Sequence, residues 1–232
     1  MNRPTSPTPS SSPRRPLEAA GVVMLIFAAI ATASAALGQT EVHMVFKPLT
    51  MVVAMVWVAG RALLSGRPGS FDITLLMALA ASLVGDVLLL FPDLFIPGLI
   101  AFLIAHLLYI DLFRHGVKLF PRPAALLLTL GIGAAAYAFL WQGGLPANLR
   151  LPVGAYVVVI AAMTAQALGR ASVLGDTDAR AVAVGACFFM LSDTLLAINR
   201  FVTPLPLAAV WVLGSYYIAQ YLIARHARRP EL

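Results

Sequence analysis

The sequence predicts an all-α membrane protein of eight transmembrane helices, with both termini on the cytoplasmic side. Three observations lead there. The 232 residues are 60% hydrophobic and 11% charged, whereas a soluble domain carries roughly 25% charged residues. Eight apolar runs approach the length of about 20 residues that crosses a bilayer. The basic residues are also unequally divided. With eight spans, one side receives thirteen: Arg3, Arg14, Arg15, Arg61, Arg67, Arg114, Lys118, Arg122, Arg170, Arg180, Arg225, Arg228 and Arg229. The other receives three: Lys47, Arg150 and Arg200. Basic loops stay in the cytoplasm. Seven spans would put Arg225, Arg228 and Arg229 on the poor side.

The elements follow in chain order. Residues 1–16 are rich in Pro and Ser and cannot bury enough surface to fold, so a disordered basic tail is expected. Residues 17–226 form the membrane domain and 227–232 a short C-terminal tail. The run 18–37 lacks a convincing cleavage site and reads as a retained helix rather than a signal peptide. The run 45–64 opens on Phe46-Lys47-Pro48, where proline suits a first helical turn. Runs 72–91 and 95–113 are parted by Pro92-Asp93, and runs 121–141 and 150–169 by Gly143-Gly144 and Pro146. Runs 180–199 and 204–225 turn on Pro204 and Pro206. The net charge of +6 is spread over short loops, which argues against nucleic acid as a partner. Cys187 is the only cysteine, so it excludes an intramolecular disulfide; core packing is its expected role.

Two acids stand where the membrane tolerates them least. Asp86 follows Gly85 and precedes Val87-Leu88-Leu89-Leu90; Asp193 follows Ser192 and precedes Thr194-Leu195-Leu196. An acid near a helix centre costs about 2.5–3.5 kcal/mol on insertion scales, and such residues mark functional sites. Helices 3 and 7 both run outward, so both acids fall in the non-cytoplasmic half. Each is followed by a Pro-containing turn and then an inward helix with Ala105-His106 or Ala219-Gln220. This likeness predicts two parallel four-helix pseudo-repeats, with the acids as symmetry mates on one cavity.

The other polar residues are weighed by spacing. Ser82 precedes Asp86 by four and shares its face. Arg200 follows Asp193 by seven on nearly the same face, so the two form either a functional pair or a structural ion pair at the membrane edge. Lys47 is either a snorkelling lysine or a cation that grips a carboxylate or phosphate. His106 and Tyr109 share a face of helix 4, Tyr216 and Gln220 form a polar strip on helix 8, and Tyr156 lies in the outer half of helix 6. The four histidines lack metal-ligand spacing, so neither a metal nor a cofactor is expected. The sequence contains no nucleophile elbow, phosphate loop or dinucleotide fingerprint.

Several stretches together resemble the YhhN family of lysoplasmalogenase-like membrane proteins. They are Lys47–Met51, Ser82–Leu90, Pro97–Tyr109, Gly185–Ala197 with Arg200-Phe201, and Tyr216–Leu222, in family order over roughly residues 20–225. The resemblance implies an eight-helix membrane hydrolase that cleaves the vinyl ether of a lysoplasmalogen to a fatty aldehyde and a glycerophospho-base. Its partners would be lysophospholipid and bilayer lipids.

The two acids suit that chemistry. Vinyl-ether hydrolysis needs a protonated carboxylic acid and a carboxylate that activates water. Two Asp on one apolar cavity are pushed toward opposite protonation states, as in glycosidases. The Arg200 spacing makes Asp193 the carboxylate and Asp86 the acid, and Lys47 or Arg200 would hold the phosphate. Lys47, Ser82, His106, Tyr109, Tyr156, Arg200, Tyr216 and Gln220 are the expected substrate-binding set around catalytic Asp86 and Asp193. A proton-coupled or lipid transporter is the alternative, since intramembrane Asp also builds proton relays. Short loops favour a bacterial inner membrane; the oligomeric state is open.

Overall fold

The computed structural model describes residues 14–66 and 68–229. Of the expected tail over residues 1–16, residues 1–13 lie outside the described residues, as do Arg67 and residues 230–232, while residues 14–16 open a helix instead of continuing the tail. Every regular element described is helical: α1 (Arg14–Ala36), α2 (Thr40–Leu64), α3 (Ser70–Leu88), a 3₁₀ turn (Pro92–Leu94), α4 (Phe95–Phe113), α5 (Pro123–Gln142), α6 (Ala147–Leu174), α7 (Thr177–Phe201) and α8 (Ala208–His226). The protein is a multi-pass integral membrane protein. Helices α1 to α7 are long and apolar enough to span a bilayer. Helix α8 is less apolar because it carries Ser215, Tyr216, Tyr217 and Gln220, all of which it buries against the other helices.

Local sequence sets the ends. Asp176 caps α7, its carboxylate accepting from Ala179 N–H at 2.6 Å, just after Gly175 ends α6 in the left-handed region at φ 71°. The Asn199 side chain accepts from Leu205 N–H at 2.9 Å and shapes the α7–α8 turn. Pro204 and Pro206 fall inside that turn, so α8 starts at Ala208 rather than 204. Helix α2 starts at Thr40, five residues before the expected run. Pro48 therefore lies inside the helix rather than in its first turn. Having no N–H, it leaves the Met44 carbonyl, three residues before Lys47, without its helical donor.

Seven helices close a ring in the order α1, α2, α3, α4, α6, α7, α8, each packed on its neighbours, and α5 lies outside against α6. The packing repeats between the chain halves. The pairs α1–α2, α2–α3, α3–α4 and α4–α6 correspond to α5–α6, α6–α7, α7–α8 and α8–α2. Two correspondences fail: α1 packs on α8, whereas α5 and α4 barely touch, and α5 meets α7, whereas α1 and α3 barely touch.

Close helix approach depends on small residues, as it does where no hydrophobic force drives helices together in lipid. A Cβ on Gly85 would lie 2.6 Å from the Phe102 ring, and one on Gly185 would lie 3.1 Å from the Ala219 carbonyl. Cys187 departs from expectation. It is exposed, because the buried face of α7 runs through Val182, Ala183, Ala186, Phe189 and Met190.

The turns α2–α3, α4–α5 and α6–α7 share one face of the bundle with the end of α8. Arg61 of α2 joins that face to the end of α8 by donating to the carbonyls of Ala224, Arg225 and Ala227 at 2.8, 3.0 and 3.0 Å. This answers the unmet carbonyls and partial negative charge of a helix C-terminus. Lys47, Arg150 and Arg200 lie toward the opposite face, which also holds both acids.

Candidate active site

Each acid sits in its own nest on the ring interior. Asp86, at the end of α3, is 2% exposed, and its Oδ1 lies 3.4 Å from Lys47 Nζ on α2. Tyr216 on α8 donates to its Oδ2 at 2.5 Å. Gln220 Nε2 donates to the Tyr216 oxygen at 3.2 Å, and Tyr109 donates to Gln220 Oε1 at 2.9 Å. The chain Tyr109–Gln220–Tyr216–Asp86 thus runs inward from the carboxylate through buried side chains.

Asp193 lies on α7, eight residues before its end and hence about 12 Å inside. Tyr156 on α6 donates to its Oδ2. His106 Nε2 on α4 lies 2.8 Å from the Tyr156 oxygen and 3.3 Å from Asp193 Oδ2. His106 Nδ1 is buried without a partner. The network assigns the tautomer: a proton on Nε2 serves both contacts and leaves Nδ1 as a bare lone pair.

The two nests obey the fold's internal repeat. Asp86 on α3 is met from α2 and α8, and Asp193 on α7 is met from the corresponding α6 and α4. The architecture matches while the chemistry differs, because Lys47 stands where the second half has Tyr156. Phe189 separates the nests, its ring edge-on to His106 at 4.7 Å and to Tyr216 at 5.4 Å.

Two cavities meet here. The first, about 470 Å³, is the more polar: His43, Lys47, Asp86, Ser192, Asp193, Asn199, Arg200 and Tyr216 line it beside apolar side chains such as Leu89, Phe102 and Leu213. The second is a narrow apolar cleft of about 60 Å³ lined by Leu99, Ala136, Leu140, Tyr156, Val157 and Met190 among others. Asp193 borders both, as do Leu89, Phe95, Phe102 and Leu196. A molecule with a polar head and one hydrocarbon chain therefore has a place for each part, with Asp193 at the junction.

The expected site residues divide into two groups. Lys47, Asp86, Asp193, Arg200, Tyr156 and Tyr216 line a cavity, while Ser82, His106, Tyr109 and Gln220 line neither and stand behind those that do. Ser82 donates to the carbonyl of Ala78 at 3.0 Å instead of serving Asp86. Arg200 does not pair with Asp193. Its guanidinium lies 4.1 Å over the Phe95 ring, a cation–π contact available at the adjacent turn. The cation beside an acid is Lys47, and that acid is Asp86. His43, Phe102 and Phe189 were missed, yet each lies four residues before a chosen residue (Lys47, His106 and Asp193), a spacing that shares a helix face. Among the described residues no three His, Cys, Asp or Glu side chains gather as metal ligands.

A family comparison bears on this arrangement. The model of the YhhN family matches residues 42–227. The chain belongs to the YhhN family. The matched region of this YhhN chain runs through α2 to α8 and contains every residue of both nests; α1 lies outside it. The chain is similar to Lysoplasmalogenase TMEM86B of Homo sapiens, 34% identical over 187 residues that span 81% of this chain and 77% of that protein. The Sus scrofa protein of the same name is 39% identical over 156 residues, or 67% and 64% of the two chains. Lysoplasmalogenase of Mycobacterium tuberculosis is 35% identical over 156 residues, or 64% and 58%. No solved structure matches this YhhN chain.

Proposed function

We propose that this chain is an intramembrane hydrolase that cleaves the vinyl-ether bond of a lysoplasmalogen, releasing a fatty aldehyde and a glycerophospho-base. The observation that carries this reading is the junction of a polar and an apolar cavity at Asp193, with a second acid on the same polar cavity. The names of the similar proteins agree with it.

The roles follow from the partners. Lys47 offsets the charge of Asp86, so Asp86 serves as the carboxylate. Asp193 has only hydroxyl and imidazole partners and faces the apolar cleft, so it serves as the acid. This reverses the assignment drawn from the Arg200 spacing, because Arg200 rests on Phe95. The phosphate lies toward Lys47 and Arg200, and the chain lies along the cleft. Asp193 gives its proton to the β-carbon of the double bond, leaving an oxocarbenium ion on the ether carbon. Water adds to that carbon as Asp86 takes its proton. The hemiacetal then collapses: Asp86 returns the proton to the departing glycerol oxygen and Asp193 recovers one from the hydroxyl. One water is consumed, and an aldehyde and an alcohol are formed. Two carboxyl groups dividing acid and base roles across an oxocarbenium-like step is glycosidase logic.

The basic face belongs to the cytoplasm by the charge rule, so the polar cavity meets the headgroup from the non-cytoplasmic side. The test is aldehyde release from a vinyl-ether lysolipid by purified protein in detergent. Turnover without any gradient separates a hydrolase from a proton-coupled transporter, and an absence of aldehyde with folded protein would overturn the reading.

A further inference from the structure

The missing counterpart of the α1–α8 seam marks a specific place. The α1–α8 seam is packed, whereas its counterpart between α5 and α4 is not. The apolar cleft lies behind that unpacked seam, with Leu99 of α4 and Gly133, Ala136 and Leu140 of α5 in its walls, and it ends at Asp193. Both flanks face lipid. Ile96, Ile100 and Ile104 are exposed on α4, as are Leu128, Ile132 and Phe139 on α5.

Helix α5 is also lightly held. It buries only Thr129, Gly133 and Leu140; Tyr137 ties its far end to α6 by donating to the Arg150 carbonyl at 3.0 Å, and the α4–α5 turn holds its near end. There Gln166 accepts from Phe120 N–H at 2.6 Å and donates to the Phe113 and Lys118 carbonyls at 3.3 and 3.2 Å. The turn is on the basic face and the Tyr137 tie runs to α6, so among the described residues no hydrogen bond joins α5 to α4 across the half of the seam beside the acids.

We propose that the α4–α5 seam is a lateral portal, through which the single hydrocarbon chain of a membrane-borne substrate slides from the bilayer into the cleft beside Asp193. The occupant is the chain rather than a protein helix, because the cleft is narrow and continuous with the polar cavity at Asp193. A chain in lipid has nothing to gain by passing through water, so a sideways entry leaves it in apolar surroundings throughout. The inference rests on the hydrolase reading and adds its route and its chain-binding element.

The experiment compares two vinyl-ether lysolipids, a hexadecenyl species in phosphatidylcholine vesicles and a butenyl species free in water. Ala136→Phe and Leu99→Trp narrow the seam from its two sides, and Ile132→Phe on the lipid face of α5 is the control. For the two seam variants, the ratio of long-chain to short-chain kcat/KM should fall by about tenfold or more, since misplacing reacting atoms by about 1 Å costs on the order of a hundredfold. The control should keep the wild-type ratio. Short-chain turnover reports that each variant is folded. A ratio unchanged in both seam variants, or both substrates lost in parallel, overturns the portal while the hydrolase reading stands. A wild-type protein that turns over neither substrate overturns the hydrolase reading and the portal with it.

Discussion

Lys47 Nζ and Asp86 Oδ1 lie 3.4 Å apart, on adjacent helices and almost wholly buried. Among the described residues Asp193 has no lysine or arginine beside it; its contacts are Tyr156 and His106. In the proposed mechanism this difference is what divides the repeated pair into a carboxylate and a proton donor. Lys47→Met leaves Asp86 without a counter-charge, and breaking one side of a buried pair costs about 3–5 kcal/mol. A thermal melt in detergent should fall accordingly. Lys47→Met with Asp86→Asn should recover much of that loss but not the aldehyde release. A single variant with unaltered melting would remove the pair from the account.

Asp193→Asn should reduce kcat by about 10²–10⁴, the usual worth of a positioned acid or base, with a melting profile close to wild type. Asp86→Asn should reduce it on the same scale. Full rates in either variant would sink the two-acid mechanism.

Tyr156→Phe removes one donor to Asp193 but leaves His106 Nε2 at 3.3 Å from the same oxygen. One neutral hydrogen bond is worth about 0.5–1.5 kcal/mol, so kcat should drop by about two- to tenfold, well short of the Asp193→Asn loss. Single-turnover rates on the two variants decide whether that ranking holds.

Gly85→Ala places a methyl 2.6 Å from the Phe102 ring. Overpacking of this kind costs about 1–3 kcal/mol. Because Phe102 borders both cavities, activity per folded molecule should also fall. Gly131→Ala is the counter-case, since its Cβ meets nothing within 4 Å. There alanine should be neutral or stabilise by up to about 1 kcal/mol. Equal melting temperatures for the two variants would remove the packing argument.

Much of the fold was legible because lipid imposes a simple grammar. A spanning segment must be helical and apolar, so run length and turn residues located α1 to α7 to within a few residues. Helix α8 was legible too, although its polar strip lowers its hydropathy, because Tyr216 and Gln220 recur at helical spacing. Asp86 and Asp193 stood out for the same reason, each being an expensive residue in an apolar run. The limit appeared at Arg200. A spacing of seven on one helix is a one-dimensional clue, and Phe95 on α4 competed for the guanidinium across the bundle. Pro48 was misplaced because α2 begins at Thr40, ahead of the apolar run, and the polar residues Thr40, Glu41 and His43 interrupt the hydropathy that marked the run.

By itself the sequence determined the helices, their alternating direction, the basic face and the two acids, because these depend on local composition and the cost of burying charge. The tertiary structure alone decided which acid has the lysine, that a polar and an apolar cavity meet at the other, and that the α4–α5 seam stays open while α1–α8 closes. Those facts concern which helix faces meet across the ring. Interior helix faces in a bilayer are selected by close fit and hydrogen bonding between distant segments, which apolar periodicity along one segment does not encode.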